Sequence, residues 1–175
     1  MNKDIDKILK EQEKLNAGGR FAVVPRETGR LLHLLIKIKN PKKVLEVGTS
    51  LGYSSIWIAS ALKKGAQLIT LEKWPERVAL AKKFFKKSKL NIKLIEGDAL
   101  KIIPQLNKTF DIVFLDATKS EYLQYLKKVK LNKNALIIAD NTISHAFKMQ
   151  DFLSYVTQRG AVTLNIGSGV TLWTP

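Results

Sequence analysis

Cysteine is absent from this 175-residue chain. Disulfides and thiolate metal sites are therefore excluded. Histidine is scarce as well, with only His33 and His145. A metal site would have to rest mainly on oxygen donors, which suit hard cations such as Mg²⁺, Mn²⁺ or Ca²⁺. No apolar run reaches the roughly 20 residues that a membrane span needs. Residues 1–16 are charged throughout, unlike a secretory leader. The expectation is a cytoplasmic protein with no membrane partner. Repeats, low-complexity tracts and Pro/Gly-rich linkers are all missing, and the length suits one domain over 1–175. Acidic residues are few: 15 Asp and Glu stand against 30 Lys and Arg, a formal net charge of +15. Such a field attracts anions, nucleic acids among them. Because the lysines are dispersed, the same numbers also describe a solvated helix surface.

What is present is a regular alternation. Ile5, Ile8, Leu9, Gln12 and Leu15 mark an amphipathic helix that ends at Ala17-Gly18-Gly19. A second helix is predicted from about Glu27 to Lys39, burying Leu31, Leu32, Leu34, Leu35 and Ile38, and stopped by Asn40-Pro41. These first 40 residues are expected to cap the site, with the core in 41–175. Strand-like runs follow at Val44–Val47, Gln67–Leu71, Ile92–Ile95, Asp111–Leu115 and Ala135–Ala139. Helical stretches at Tyr53–Lys64, Pro75–Lys87, Ala99–Leu106 and Ser120–Val129 lie between them. Nearly continuous apolar strands alternating with helices predict a parallel sheet covered on both faces. After a helix near Phe147–Gln158, Val162–Ile166 and Val170–Trp173 flank Gly167-Ser168-Gly169 and predict a terminal hairpin.

The first strand–helix junction reads Leu45-Glu46-Val47-Gly48-Thr49-Ser50-Leu51-Gly52-Tyr53-Ser54. In an open parallel sheet, ligands bind beyond the carboxyl ends of the strands. Glycine permits close approach of the backbone, and the helix start offers free N–H groups. The turn lacks the Gly-x-Gly-x-x-Gly spacing of a dinucleotide fold. It matches a Gly-x-Ser-x-Gly nucleophile elbow literally, with Asp116 or Asp140 and then His145 following in hydrolase order. However, the serine follows the first strand, which leaves no earlier strand to supply an oxyanion loop. The remaining reading is a nucleoside site for S-adenosylmethionine, with Glu46 behind the turn. Glu72, followed by Lys73, ends the next strand, where an acid holds a ribose diol.

Later strand ends add oxygen donors. Asp98 in Gly97-Asp98-Ala99 can accept from an adenine amino group, or simply cap the helix that follows. Asp116 closes the fourth strand, and Asp140-Asn141 closes the fifth. Two carboxylates and an amide form half a shell for a hard cation. Lys119 follows Asp116 by one short turn. Beside a metal its pKa would fall, and it could serve as a base. Trp74 is placed to pack near an adenine. His145 is a candidate substrate contact, whereas Trp57, Trp173 and His33 read as packing residues.

Taken together, Leu45–Ser54, Phe110–Lys119 and Ile138-Ala139-Asp140-Asn141-Thr142 resemble the three motifs of the cation-dependent O-methyltransferases. That family contains catechol and caffeoyl-CoA O-methyltransferases. The resemblance runs from about Ala22 to the terminal hairpin. It implies a Rossmann-like class I methyltransferase fold, α/β with helices on both faces of a seven-stranded sheet and the last strand antiparallel. It also implies that S-adenosylmethionine is bound by Glu46, Gly48, Ser50, Tyr53, Ser54, Glu72, Lys73, Gly97, Asp98, Ala99 and Asp116. Asp116, Asp140 and Asn141 would ligate Mg²⁺, and Lys119 would be the general base. The acceptor would be a small vicinal diol, and the assembly a homodimer. Little intervenes between Asn141 and Phe147, where relatives carry an insertion, and Ala117 and Thr118 are small. The acceptor pocket is therefore expected to be open. Some members of the wider group methylate a hydroxylated uridine in tRNA. For such an acceptor, lysines 82, 83, 86, 87 and 89 are candidate phosphate contacts.

Overall fold

The computed structural model describes residues 2–175; Met1, the first residue of the charged opening segment, lies outside them. Seven strands form one sheet: β1 (Lys43–Val47), β2 (Gln67–Glu72), β3 (Ile92–Glu96), β4 (Thr109–Leu115), β5 (Lys130–Asp140), β6 (Val162–Leu164) and β7 (Val170–Trp173). Their order is β3-β2-β1-β4-β5-β7-β6. β1 through β5 pair in parallel, and β7 runs antiparallel to both β5 and β6. The expected α/β, Rossmann-like architecture with an antiparallel terminal hairpin is what forms. The helices are α1 (Lys3–Leu15), α2 (Arg26–Lys39), α3 (Tyr53–Ala59), α4 (Pro75–Ser88), α5 (Ala99–Ile102), α6 (Tyr122–Lys128) and α7 (Gln150–Thr157). Among the described residues no helix is long and apolar enough to cross a membrane.

The period-2 alternation of the strands sorts their side chains into two cores. Val44, Ile112, Phe114 and Ile138 face α1–α4, together with Ile5, Leu9, Leu32 and Ile36. Leu45, Val47, Val113 and Leu115 face the other way, against Tyr122, Tyr125 and Phe152. Both faces are covered, which is why the central strands carry almost no polar residues.

Several boundaries differ from the sequence reading. α3 stops at Ala59 rather than Lys64; the Ser60 hydroxyl donates to the Trp57 carbonyl, and the chain turns away through Gly65 at φ 89°. Ala99–Leu106 is one α-turn followed by a 3₁₀ turn at Ile103–Gln105, because Pro104 supplies no N–H. Residues 119–121 and 146–148 are 3₁₀ turns ahead of α6 and α7. The buried face of α2 is Thr28, Gly29, Leu32 and Ile36. Leu34 and Ile38, predicted to be buried, are 54% and 72% exposed, because they lie across the helix from that i, i+4, i+8 stripe. Gly29 explains the choice of face. A Cβ there would meet the Trp57 indole at 2.4 Å, so only glycine lets α2 seat against α3.

Candidate active site

The strand order reverses between β1 and β4, and a cavity of about 640 Å³ opens at their carboxyl ends. Four strand ends are locked in register around it. Gly48 N–H donates to the Leu71 carbonyl, Asp116 N–H to Val47, and Gly97 N–H to Glu72. Gly48 sits at φ 101°, and a Cβ there would lie 2.1 Å from the Asp116 carbonyl oxygen. No other residue fits where β1 passes β4 into the turn.

Of the residues singled out from sequence, Gly48, Ser50, Glu72, Lys73, Gly97, Asp98, Ala99, Asp116 and Lys119 line this cavity. Glu72 is buried, and its carboxylate receives three backbone amides: Ser50 N–H at 2.8 Å, Lys73 N–H at 2.9 Å and Trp74 N–H at 3.1 Å. An ionised carboxylate has about four acceptor sites, so about one remains to meet a ligand hydroxyl. The same hydrogen bonds fix the Ser50 turn to the end of β2. Asp98 does cap its helix, accepting from Leu100 N–H at 2.9 Å, and also faces the cavity.

Glu46, Tyr53, Ser54, Asp140 and Asn141 do not line the cavity. The first three lie behind its wall, on the α3 face, and the last two at the end of β5 next to Asp116. Glu46 is fully buried and accepts from the Ser54 hydroxyl at 2.6 Å and from the Ser55 hydroxyl. Burial pushes its carboxyl up to about 7, against the opposing pull of those hydroxyls. Tyr53 donates to Glu13 of α1 at 2.5 Å, and burial, then that acid, pushes its phenol well above the usual tyrosine range.

The acidic end of the site is built by β4 and β5. Leu115 pairs with Ala139, so the next residues, Asp116 and Asp140, leave neighbouring strand ends side by side. Lys119 Nζ donates to Asp116 Oδ1 at 2.7 Å, with both side chains mostly buried. Asp140 is buried, and its Oδ1 has no partner. Burial, then the charge of Asp116, pushes its carboxyl up to about 7. Asn141 follows in the left-handed region at φ 63°. Among the described residues no three His, Cys, Asp or Glu side chains gather as a metal cluster. Asp116 and Asp140 offer two carboxylates, Asn141 follows in the chain with an amide, and Asp140 Oδ1 has no hydrogen-bond partner. The residues fit a hard divalent ion that keeps some of its water.

The hydrolase reading is corrected. Ser50 Oγ is buried without a hydrogen-bond partner, and its backbone N–H is spent on Glu72. His145 instead pairs with the Ser144 hydroxyl at 2.8 Å. No base is placed on the serine.

The sequence reading missed Arg77, Glu121, Tyr125 and Lys148, all of which line the cavity. Glu121 and Tyr125 bond to each other across one helical turn. Their i, i+4 spacing just past Lys119 was the available signal. Trp74 is half exposed at the rim with Lys73 Nζ 5.2 Å over its ring, and His145 and Phe147 stack at 6.4 Å. Among the described residues of the first forty, only Ala22 touches the cavity.

Fold and site together define a doubly wound α/β protein with a nucleoside-sized cavity at its switch point and an acid–lysine cluster beside it. Residues 3–165 match the O-methyltransferase family, and the chain belongs to that family. It is 37% identical over 147 residues to a catechol O-methyltransferase of Niastella koreensis, covering 79% of this chain and 66% of that protein. It is 37% identical over 141 residues to catechol O-methyltransferase B of Danio rerio, covering 74% and 53%. The matched stretch thus spans about half to two thirds of these relatives' own length. An O-methyltransferase from Bacillus cereus, solved in complex with SAH, superposes with a TM-score of 0.83 at 26% identity, covering 97% of this chain and 90% of that one.

Proposed function

We propose that this protein transfers the methyl group of S-adenosylmethionine to a hydroxyl of a small acceptor bearing vicinal oxygens, with a divalent cation held by Asp116, Asp140 and Asn141. The observation that carries the reading is the pairing of a nucleoside-sized cavity, floored by the Glu72 cradle, with the Asp116–Lys119–Asp140 cluster on the adjoining strand ends. The family membership and the SAH-bound relative support the choice of methyl donor.

Glu72 would take a ribose hydroxyl, Asp98 and Ala99 would flank the base, and the turn at Gly48–Ser50 would receive the amino-acid end. A bound divalent cation would lower the pKa of an acceptor hydroxyl and offset the charge that develops there. Lys119, released from Asp116, would accept the hydroxyl proton. The oxyanion then attacks the methyl carbon in line with the carbon–sulfur bond, whose electron pair returns to sulfur and leaves SAH. Holding two reactants in line supplies most of the rate enhancement in such a transfer. The segment around Ala22 and the stacked His145–Phe147 pair would wall an otherwise open acceptor side. One domain, a homodimeric assembly and a cytoplasmic setting complete the reading.

A second reading keeps the chemistry but uses a tRNA hydroxyl, favoured by the net charge of +15. Transfer of labelled methyl from S-adenosylmethionine to a catechol panel and to bulk tRNA, with Mg²⁺ or with EDTA, separates them. EDTA-sensitive labelling of a catechol supports the first reading; labelling of tRNA alone replaces it with the second; transfer indifferent to EDTA removes the cation from the proposal.

A further inference from the structure

A second cavity, of about 760 Å³, opens in the furrow between α1 and α2 and shares no lining residue with the first. Its walls are two cationic rows. Lys3, Lys7 and Lys10 form one along α1, at intervals of four and three residues. Arg26, Arg30 and Lys37 form the other along α2, at intervals of four and seven. Such intervals keep side chains on a single helix face, one per turn or two. The rise per turn is about 5.4 Å, comparable to the step between successive phosphates of an extended strand. Among the described residues Asp6 is the one acid lining the furrow, and it is already engaged by Lys10 at 3.0 Å and by Arg26. Lys3, Lys7, Arg30 and Lys37 are exposed and, among the described residues, form no ion pair. The floor is the Trp57 indole, with His33 edge-on to it at 6.0 Å and Leu34 beside them.

Four unpaired cations facing one another across a cleft repel, and the counter-charge must come from outside the chain. The lysines of α4 make a useful contrast. Lys82, Lys83, Lys86 and Lys87 are exposed but line neither cavity, and Lys87 is paired with Glu11. A planar anionic surface would meet only the rim of the furrow, whereas a linear polyanion lying along it meets both rows.

We infer that the α1–α2 furrow binds a nucleic-acid strand by its phosphate backbone, apart from the cavity where methyl transfer is proposed. The inference does not require that the bound strand be the methyl acceptor. Specificity would be low, because phosphate contacts carry no sequence information. Four contacts predict a logarithmic salt slope of about −3 for a single strand, or affinity about 50-fold weaker at 200 mM than at 50 mM salt.

The test is fluorescence anisotropy of the full chain with a labelled 12-nucleotide uridine RNA across a salt series. It compares the wild type with a furrow variant, Lys7→Gln/Arg30→Gln/Lys37→Gln, and with an equal-charge α4 variant, Lys82→Gln/Lys83→Gln/Lys86→Gln. All six positions are exposed, and circular dichroism checks both folds. The expected result is at least tenfold weaker binding and a slope shallower by about 2 for the furrow variant alone, with SAH affinity by calorimetry unchanged in both. Equal loss in the two variants, no RNA binding by the wild type at 50 mM salt, or binding to phosphatidylserine vesicles in preference to RNA each overturns the inference. Because none of these readouts involves methyl transfer, their failure leaves the proposed activity standing, and failure of the activity leaves them interpretable.

Discussion

Two buried carboxylates stand a few strands apart in this sheet, Glu46 on β1 and Asp140 at the end of β5. Both are nearly inaccessible, and burial pushes both up to about 7. Their surroundings differ. Each oxygen of Glu46 receives a serine hydroxyl from α3, so the group is a satisfied strut between strand and helix. Asp140 has an orphaned oxygen and looks across at Asp116 and Lys119. A raised pKa alone does not mark a functional site, since structural networks perturb titration as well. The unmet hydrogen-bonding demand is what separates the two, because an unpaired buried oxygen costs stability that a bound ion, ligand or water recovers.

Substitution separates the two carboxylates. Lys119→Ala should have the largest effect, lowering kcat by about 10²–10⁴-fold with little change in SAH affinity, as expected for loss of a general base. A full-activity variant would remove Lys119 from the chemistry. Asp140→Asn should lower EDTA-sensitive transfer by about 10²–10³-fold, the scale on which charge-stabilising groups act. Its thermal midpoint without cation should be unchanged or higher, since a strained buried charge is gone. A sharp drop in midpoint would make Asp140 a strut like Glu46.

Glu46→Ala should do the reverse. It leaves two buried serine donors unsatisfied and opens a cavity, so a loss of about 2–5 kcal/mol is expected by denaturant titration. SAH binding would weaken only through that loss.

Titration sharpens the contrast. The Glu46 carboxyl is raised from 4.5 to about 7 on folding. A raised acid favours the fold below its unfolded pKa and loses that contribution as pH rises through its folded pKa. Cation-free stability should therefore fall by about 3 kcal/mol between pH 4.5 and 7 on account of Glu46, and the fall should be smaller in Glu46→Gln. Because a cation competes with the proton on Asp140, Mg²⁺ should raise the midpoint more at pH 8 than at pH 5.5. Midpoints that ignore pH in both proteins would contradict the burial argument. The smallest effect belongs to Ser50→Ala. Its hydroxyl has no partner, so transfer should stay within about tenfold and stability within about 1 kcal/mol.

Much of this was legible along the chain. The alternation of apolar runs with helices, the Gly48 turn, and acids at positions 72, 98, 116 and 140 are local patterns. A parallel sheet places all its strand ends on one rim, so position in sequence already implied convergence. Errors arose where a residue's neighbours lie far away in sequence. Leu34 and Ile38 read as core because they are apolar, yet α2 turns its Gly29 stripe to Trp57 instead. The partner of the Ser54 hydroxyl, Glu46 on β1, was likewise not readable from the motif.

Sequence by itself determined the order of elements, the glycine that lets β1 pass β4, and the inventory of oxygen donors, because these depend on backbone freedom and on a two- or 3.6-residue period. Tertiary structure alone decided which acid is satisfied and which is not. It also decided that cations of α1 and α2 face one another across a furrow, whereas those of α4 line no cavity. Hydrogen-bond completion and charge pairing are contacts between residues distant in the chain, and no local period encodes them.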